Sequence, residues 1–426
     1  MHWQHSIRFE GAATLSSLPE SPAIFALRGE RPDSEPYLNK AASLRKRLER
    51  LLSPASPDSK RLNLAASTHT IEYTLTGSDC ENRLLLYRAL REQFPRSYRK
   101  RMKLIPAALI KIGWENEYPR AYFTRRLGRI PHFGAGKADA LESTKSTTST
   151  TSIYYGPFAS KAAANKFLND ALDLFKSRRC TFNIHPDPSF PGCMYSEMKM
   201  CLAPCFGGCT HDEYIHEVAR VQQYLDSHGS SLVAQLEAER DAASASLEFE
   251  QAASIHSRIE KAKEPWNGIP EIVGRIDQLR AVIVQRSALP DHVTLFEFRD
   301  GLLHGPVQFN VQGMQHANPN SGSSSLYAHP HLAAPVPLED ESKPKQKPQT
   351  LESRVAEAIN AIPARKPERG EVADHLALLK RWYYRPTKKG EIFISYTDEL
   401  PLRRIVRGIS RIARGEPSEP PAVAGG

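Results

Sequence analysis

A chain of 426 residues is long enough for two or three domains, each with its own buried core. A hydrophobic share of 40% without a bilayer-length apolar run excludes a helical membrane protein, and residues 1–15 lack the cationic stretch and apolar block of a signal peptide, so a cytoplasmic chain is expected. The net charge of +9 favours polyanionic partners, although its distribution says more than its sum.

Taken in order, residues 22–28 read as a short strand, and a turn around Pro32, Asp33 and Ser34 leads to a second strand near Tyr37 and Leu38. Leu44, Leu48, Leu51 and Leu52 recur at helical spacing and predict an amphipathic helix over 41–52. Ile71, Tyr73 and Leu75 alternate as a third strand, and Leu84, Leu85, Ala89 and Leu90 return to helical periodicity over 79–94. Together these form a small α/β module, taken to end at residue 112. Cations then gather with aromatics: Arg96, Arg99, Lys100, Arg101 and Lys103 around Tyr98, and Arg120, Arg125, Arg126 and Arg129 among Tyr118, Tyr122 and Phe123. Such cations release counterions from phosphates and such rings stack on bases. A solvated basic surface over an aromatic core accounts for the pattern equally well.

A connecting region spans 113–210. Within it residues 143–152, almost wholly Ser and Thr, bury too little apolar surface to order and predict a flexible insert. A helix is predicted over 161–175. Five of the six cysteines follow, spaced Cys180-x12-Cys193-x7-Cys201-x3-Cys205-x3-Cys209 in a proline-rich loop, while Cys80 alone reads as core. In a reducing compartment crowded thiols point to metal chelation; four complete a zinc or an iron–sulfur site, and the spacing by itself leaves the type open.

Residues 211–227 and 231–263 read as helices within a helical region over 211–264. A small β-meander is predicted over 265–314, with strands at 281–284, 293–298 and 302–309, and a linker over 315–350. The final region, 351–426, is helical and basic, with helices near 351–361, 371–384 and 401–414 and a disordered end. Leu402, Ile405, Ile409 and Ile412 line one side of the last helix, and Arg404, Arg407, Arg411 and Arg414 the other. That pattern suits a docked helix presenting cations to phosphate, or a plain amphipathic surface helix.

Three stretches resemble UvrC, the incising component of the ABC excinuclease of bacterial nucleotide excision repair. Tyr155-Gly156-Pro157-Phe158, the run from Leu172 to Cys180, and the run from Cys193 through Cys201-Leu202-Ala203-Pro204-Cys205 are similar to the middle of that family. The resemblance implies Cys180, Cys193, Cys201 and Cys205 as ligands of a 4Fe–4S cluster, with zinc as the alternative and Cys209 as an extra thiol. Residues 236–261, within a motif taken as 231–264, resemble the UVR motif, a helical hairpin that contacts the excinuclease B subunit (UvrB). Leu247, Glu248, Phe249, Ala252 and Ala253 are the implied contacts, with Phe249 as anchor. They belong to an apolar stripe with Leu236, Ala243, Ile255 and Ile259 that suits either a partner or the chain's own core.

The first module resembles a GIY-YIG nuclease domain. Tyr37, Lys40 and Arg47 keep three of its catalytic positions, as a residual site, whereas Phe25, Asn39 and Leu86 stand where the family has a tyrosine, a glycine and the metal-binding glutamate. A leucine cannot ligate magnesium, whose loss removes several kcal/mol of transition-state stabilisation. Metal-dependent cleavage is therefore the less favoured expectation, while Lys40 and Arg47 still suit phosphate. The expected fold is an α/β GIY-YIG-like N-terminal module, then a Cys-rich α-helical region with a UVR hairpin, then a small α+β C-terminal region. The resemblance, clear over 18–263, implies a short form without the family's RNase H-like and helix–hairpin–helix domains. The expected function is a repair component that binds DNA and UvrB, either with a single-site endonuclease activity or as a catalytically inactive accessory protein. Its DNA contacts are assigned to Arg99, Lys100, Arg101, Arg404, Arg407 and Arg411.

Overall fold

The computed structural model describes residues 3–31, 33–53, 62–128, 152–312, 350–363, 365–368, 370–386, 389–397, 399–416 and 423–424. Arg129, the Ser/Thr insert up to residue 151, the linker up to residue 349 and most of the C-terminal end lie outside them. Among the described residues no helix is long and apolar enough to cross a membrane.

The first sheet contains β1 (His5–Arg8), β2 (Ala23–Arg28), β3 (Tyr37–Ala41) and β4 (Thr70–Leu75), in the antiparallel order β1-β4-β2-β3. Strand pleating sends Ala23, Phe25, Leu27 and Tyr37 to one face, under α1 (Ala12–Ser17) and α2 (Leu44–Leu52), and Ile24 and Leu38 to the other, under α3 (Asp79–Gln93). Helix α2 starts at Leu44 rather than near 41 because Ala41 still pairs with Ala23 in the ladder. Ser78 caps α3, accepting the Glu81 amide at 3.1 Å, with Asp79 and Glu81 at the positive end of the helix dipole.

After α4 (Tyr98–Arg101), β5 (Ala108–Ile112), β6 (Ala121–Thr124) and β7 (Ile153–Phe158) open a second antiparallel sheet. It is backed by α5 (Lys161–Leu172) and followed by α6 (Met194–Glu197), α7 (His211–Asp226), α8 (Ser230–Ala245) and α9 (Phe249–Lys263). Past β8 (Ile269–Pro270), β9 (Gly274–Arg275) completes the order β6-β5-β7-β9. The expected boundary at 112 thus falls inside a sheet: β5 belongs with the connecting region and not with the first module. Tyr155 locks this layer, donating to Asp226 Oδ1 at 2.7 Å, while Arg275 Nη1 reaches Asp226 Oδ2 at 3.2 Å.

The predicted meander forms as β10 (Arg280–Arg286), β11 (His292–Arg299) and β12 (Leu302–Asn310), followed by α10 (Leu351–Asn360) and α11 (Glu371–Tyr383). A strand the sequence did not announce, β13 (Glu391–Ser395), adds to β10, giving the order β12-β11-β10-β13, and α12 (Leu402–Ala413) follows it. Ile405 and Ile409 of α12 and Val355 and Ile359 of α10 bury fully against this sheet. The meander over 265–314 and the region over 351–426 are therefore one packed unit.

That unit is clamped to the first module. The buried Glu371 carboxylate receives Arg91 from α3 and Arg365, with Arg365 Nη1 at 2.7 Å. Asp374 accepts the Tyr98 hydroxyl at 2.6 Å and Arg99 Nε at 2.8 Å. The Leu303 amide donates to His375 Nδ1 at 2.7 Å, carrying the network into β12. At a second junction Gly77 lies so close to the β10–β11 turn that a Cβ there would stand 2.2 Å from the Arg286 carbonyl oxygen. Backbone cannot yield as a flexible side chain does. Gly77→Ala is expected to lower stability by about 1–3 kcal/mol in chemical denaturation, and an unchanged midpoint would show that the junction is looser than it stands.

Candidate functional site

The cysteine loop leaves α5 and is organised by Arg178, which is 3% exposed. Its Nε donates to the Tyr118 carbonyl at 3.0 Å and its Nη1 to the Phe182 carbonyl at 2.7 Å, and Nη1 lies 3.8 Å from Cys180 Sγ. The Leu202 amide donates to the Lys176 carbonyl at 3.0 Å, laying the stretch from Cys201 to Cys205 beside the approach to Cys180. The Asp187 amide donates to the Cys205 carbonyl at 2.9 Å and folds the proline-rich segment over it. Left-handed backbone at Lys199 (φ 57°) and Ala203 (φ 56°) makes the tight turns, and the Ala203 amide donates to Cys201 Sγ at 3.3 Å.

No two of these sulfurs are bonded. Burial first, then the Cys180, Cys205 and Cys193 thiols, push the Cys201 thiol up to about 11. Cys205 is likewise raised by burial and by Cys193 and Cys180. Cys209 is raised by burial, Glu213 and Cys205, outside the group around Cys201. Four thiols thus sense one another and the fifth stands to one side. The donor set fits a thiophilic centre in kind, with an amide and a guanidinium already turned toward sulfur. It is not drawn up as a ligand shell: among the described residues no three His, Cys, Asp or Glu side chains are placed to hold a metal ion. Cys80, expected as core, is buried, and burial lifts its thiol to about 12.

Helices α8 and α9 form the predicted hairpin. The apolar stripe divides in two. Leu236, Ala243, Ile255 and Ile259 are buried within the fold, while Leu247 and Phe249 at the tip are 72% and 65% exposed. Glu248 and Ala253 are exposed beside them, and Ala252 is half-buried. Leu247 sits at φ 61°, closing α8 where glycine is the usual residue. A large apolar side chain held in left-handed backbone and turned to solvent carries roughly 1 kcal/mol of local strain, the kind of strain that collects at binding surfaces.

The residual nuclease positions do not come together. Tyr37 lies on the α2 face of its sheet, where its hydroxyl accepts Asn39 Nδ2 at 2.9 Å, and Arg47 rides on α2, its Nε buried without a hydrogen-bond partner. Lys40 leaves β3 on the α3 side and pairs with Asp79. Phe25 is fully buried and Leu86 is 9% exposed, both as core. Glu81, the nearest carboxylate on α3, is 4% exposed and accepts the Gly77 amide at 2.8 Å, so it closes a turn.

The basic residues assigned to DNA also separate. Arg99 is committed to Asp374, Arg101 to Glu35, and Arg411 to the buried Glu391, its Nε donating at 2.9 Å. Lys100, Arg404 and Arg407 are exposed. Nothing in the sequence singles out Arg178 except its place two residues before Cys180.

Residues 130–224 match the family model described as the UvrC/Cho excinuclease middle domain, and residues 230–264 match the UvrB/uvrC motif. The chain is 28% identical over 345 residues to UvrABC system protein C of Desulforudis audaxviator, covering 78% of this chain and 52% of that relative. It is 28% identical over 298 residues to the protein of the same name from Methanothermobacter thermautotrophicus (70% and 46%), and 31% over 251 residues to that of Rickettsia canadensis (58% and 36%). The chain therefore spans about half the length of the first two relatives. No solved structure matches. The cysteine loop lies inside the matched middle domain and the exposed tip inside the matched motif, and the chain is a UvrC-like protein, a member of the UvrABC system protein C family.

Proposed function

We propose that this chain works in bacterial nucleotide excision repair, docking on the excinuclease B subunit through its hairpin and on DNA through its basic surface. The observation that carries the reading is the tip of the hairpin, where Leu247 and Phe249 stand exposed within the matched motif. A fold that buries the rest of the stripe and leaves these two outside has left an anchor for a partner's apolar groove. In this reading Cys180, Cys193, Cys201 and Cys205 hold an iron–sulfur cluster, with zinc as the alternative. When bound, the centre would cross-link a loop whose own core is small, while Arg178 and the Ala203 amide stabilise thiolate charge.

Phe249→Asp is expected to weaken binding to purified B subunit by at least tenfold, about 1.4 kcal/mol, without moving the melting temperature. Leu247→Gly should also weaken binding while relieving the left-handed backbone, so its stability holds or rises. Undiminished affinity in both variants would remove the docking role.

A second reading, an accessory protein that leaves incision to others, is favoured by the burial of Phe25 and Leu86 and by the separation of Lys40 from Tyr37 and Arg47. Under it, a lesion-bearing duplex with B subunit and magnesium shows no added nicking; nicking lost on Arg47→Ala selects the endonuclease.

A further inference from the structure

Lys40 on β3, Arg83 on α3, and Arg381 and Arg385 at and beyond the end of α11 gather around a single carboxylate, Asp79. Arg83 Nε donates to Asp79 Oδ2 at 2.6 Å, and Lys40 Nζ and Arg385 Nη1 donate to the same carboxylate. Arg381, held by a 3.0 Å bond from Nη1 to the Met102 carbonyl, lies within electrostatic reach of Arg83, Arg385 and Asp79. One step back along α11, Lys380 feels Arg125 at the end of β6. Burial and these like charges lower the proton affinity of Lys40, Lys380 and Arg381.

Cations at a helix C-terminus are stabilised by its dipole, which accounts for Lys380 and Arg381. It does not account for Lys40 and Arg83, which arrive from other elements. Four cations facing one carboxylate leave a surplus that repels itself unless an anion is added. The cluster is open enough to receive one: the side chains of Lys40, Asp79 and Arg385 are 29%, 36% and 40% exposed. Its members come from the first module and from α11, so the cluster exists only because the two are clamped together.

We propose that Lys40, Arg83, Arg381 and Arg385 bind backbone phosphates of DNA, on a track that continues through Lys380 to Arg125, with Asp79 holding the cations in place. Guanidinium forks suit phosphate oxygens, and several cations in a row suit successive phosphates better than one small anion. The proposal rests on the DNA-binding reading above and says where on the chain the strand lies.

The test is the binding of the full chain to an undamaged fluorescein-labelled duplex, read by anisotropy across salt concentrations. Substituting two of the arginines, Arg381→Ala with Arg385→Ala, is expected to lower affinity about tenfold and to flatten the dependence of log K on log salt by about 0.9 for each phosphate no longer neutralised. Lysine at both positions should retain most of the slope. Asp79→Asn should bind at least as tightly as wild type, since it removes the opposing charge. A double-alanine variant with wild-type affinity and slope, or an Asp79→Asn variant weakened as much as the double alanine, would overturn the track while leaving DNA binding intact. A wild-type chain without salt-dependent duplex binding would overturn the DNA-binding reading itself.

Discussion

Replacing Glu371 with alanine is expected to cost about 3 kcal/mol of stability, the lower end of what breaking a buried ion pair costs. The side chain is fully buried, and its loss strips partners from Arg91 and Arg365, which keep some solvent, and from His375, which does not. Arg365→Ala, removing a cation that is 46% exposed, should cost far less. The effect also has a pH signature. Burial works to raise the Glu371 carboxyl, but hydrogen bonds from Arg365, His375 and the Glu368 amide win and hold it well below the ordinary value of 4.5. Its contribution is therefore complete above that value and is lost as pH falls through the depressed one. Glu371→Gln should accordingly flatten the acid limb of stability. Equal urea midpoints for wild type and Glu371→Ala at neutral pH would show that α11 is not clamped to α3.

The second large effect concerns the proposed inorganic centre. Alanine at Cys180, Cys193, Cys201 or Cys205 is expected to abolish retention of iron or zinc in anaerobically purified protein, whereas Cys209→Ala and Cys80→Ala should retain it. The division follows from the electrostatics, in which Cys201 feels the other three thiols of the set while Cys209 feels Cys205 and Glu213. Thiolate-bound structural metal is worth on the order of 10 kcal/mol in small peptides, so the four variants should also lose protection from proteolysis between Cys180 and Cys209. Metal content by elemental analysis checks the outcome. Equal loss in Cys209→Ala would break the assignment, and metal-free wild-type protein would end the cofactor proposal.

Both effects depend on features that differ in how far they could be read from the residues. The hairpin was legible: residues 236–261 carry its motif, and both helices form close to where periodicity put them. What periodicity could not decide is which members of one stripe turn inward. Leu236 and Ile259 meet the fold and Phe249 does not, because the chain reverses at Leu247 and carries the tip clear of the layer beneath.

The basic residues show the limit more sharply. Arg99 and Arg411 look in sequence like free cations, yet Asp374, 275 residues away, and Glu391, 20 residues away, neutralise them. Lys40 reads in sequence as a catalytic remnant, while Arg381 and Arg385 sit in a C-terminal stretch that carries no sharp motif. Three-dimensional packing makes them neighbours of one another and of Arg83. Likewise β13 is a short apolar run that reads as nothing in particular until β10 offers it an unpaired edge.

By itself, the sequence determined the helices and most strands, the crowding of five cysteines into one loop, the hairpin and the loss of the metal glutamate at Leu86. These are local facts, set by spacing along the chain and by the chemistry of single side chains. Only the tertiary structure decided which cations are spent on buried carboxylates, which apolar residues remain outside, and that the first module and the C-terminal unit share one charged junction. Those outcomes depend on pairings across up to 306 residues of chain, as between Asp79 and Arg385. Such pairings follow from how whole layers stack, which no periodicity in a local window records.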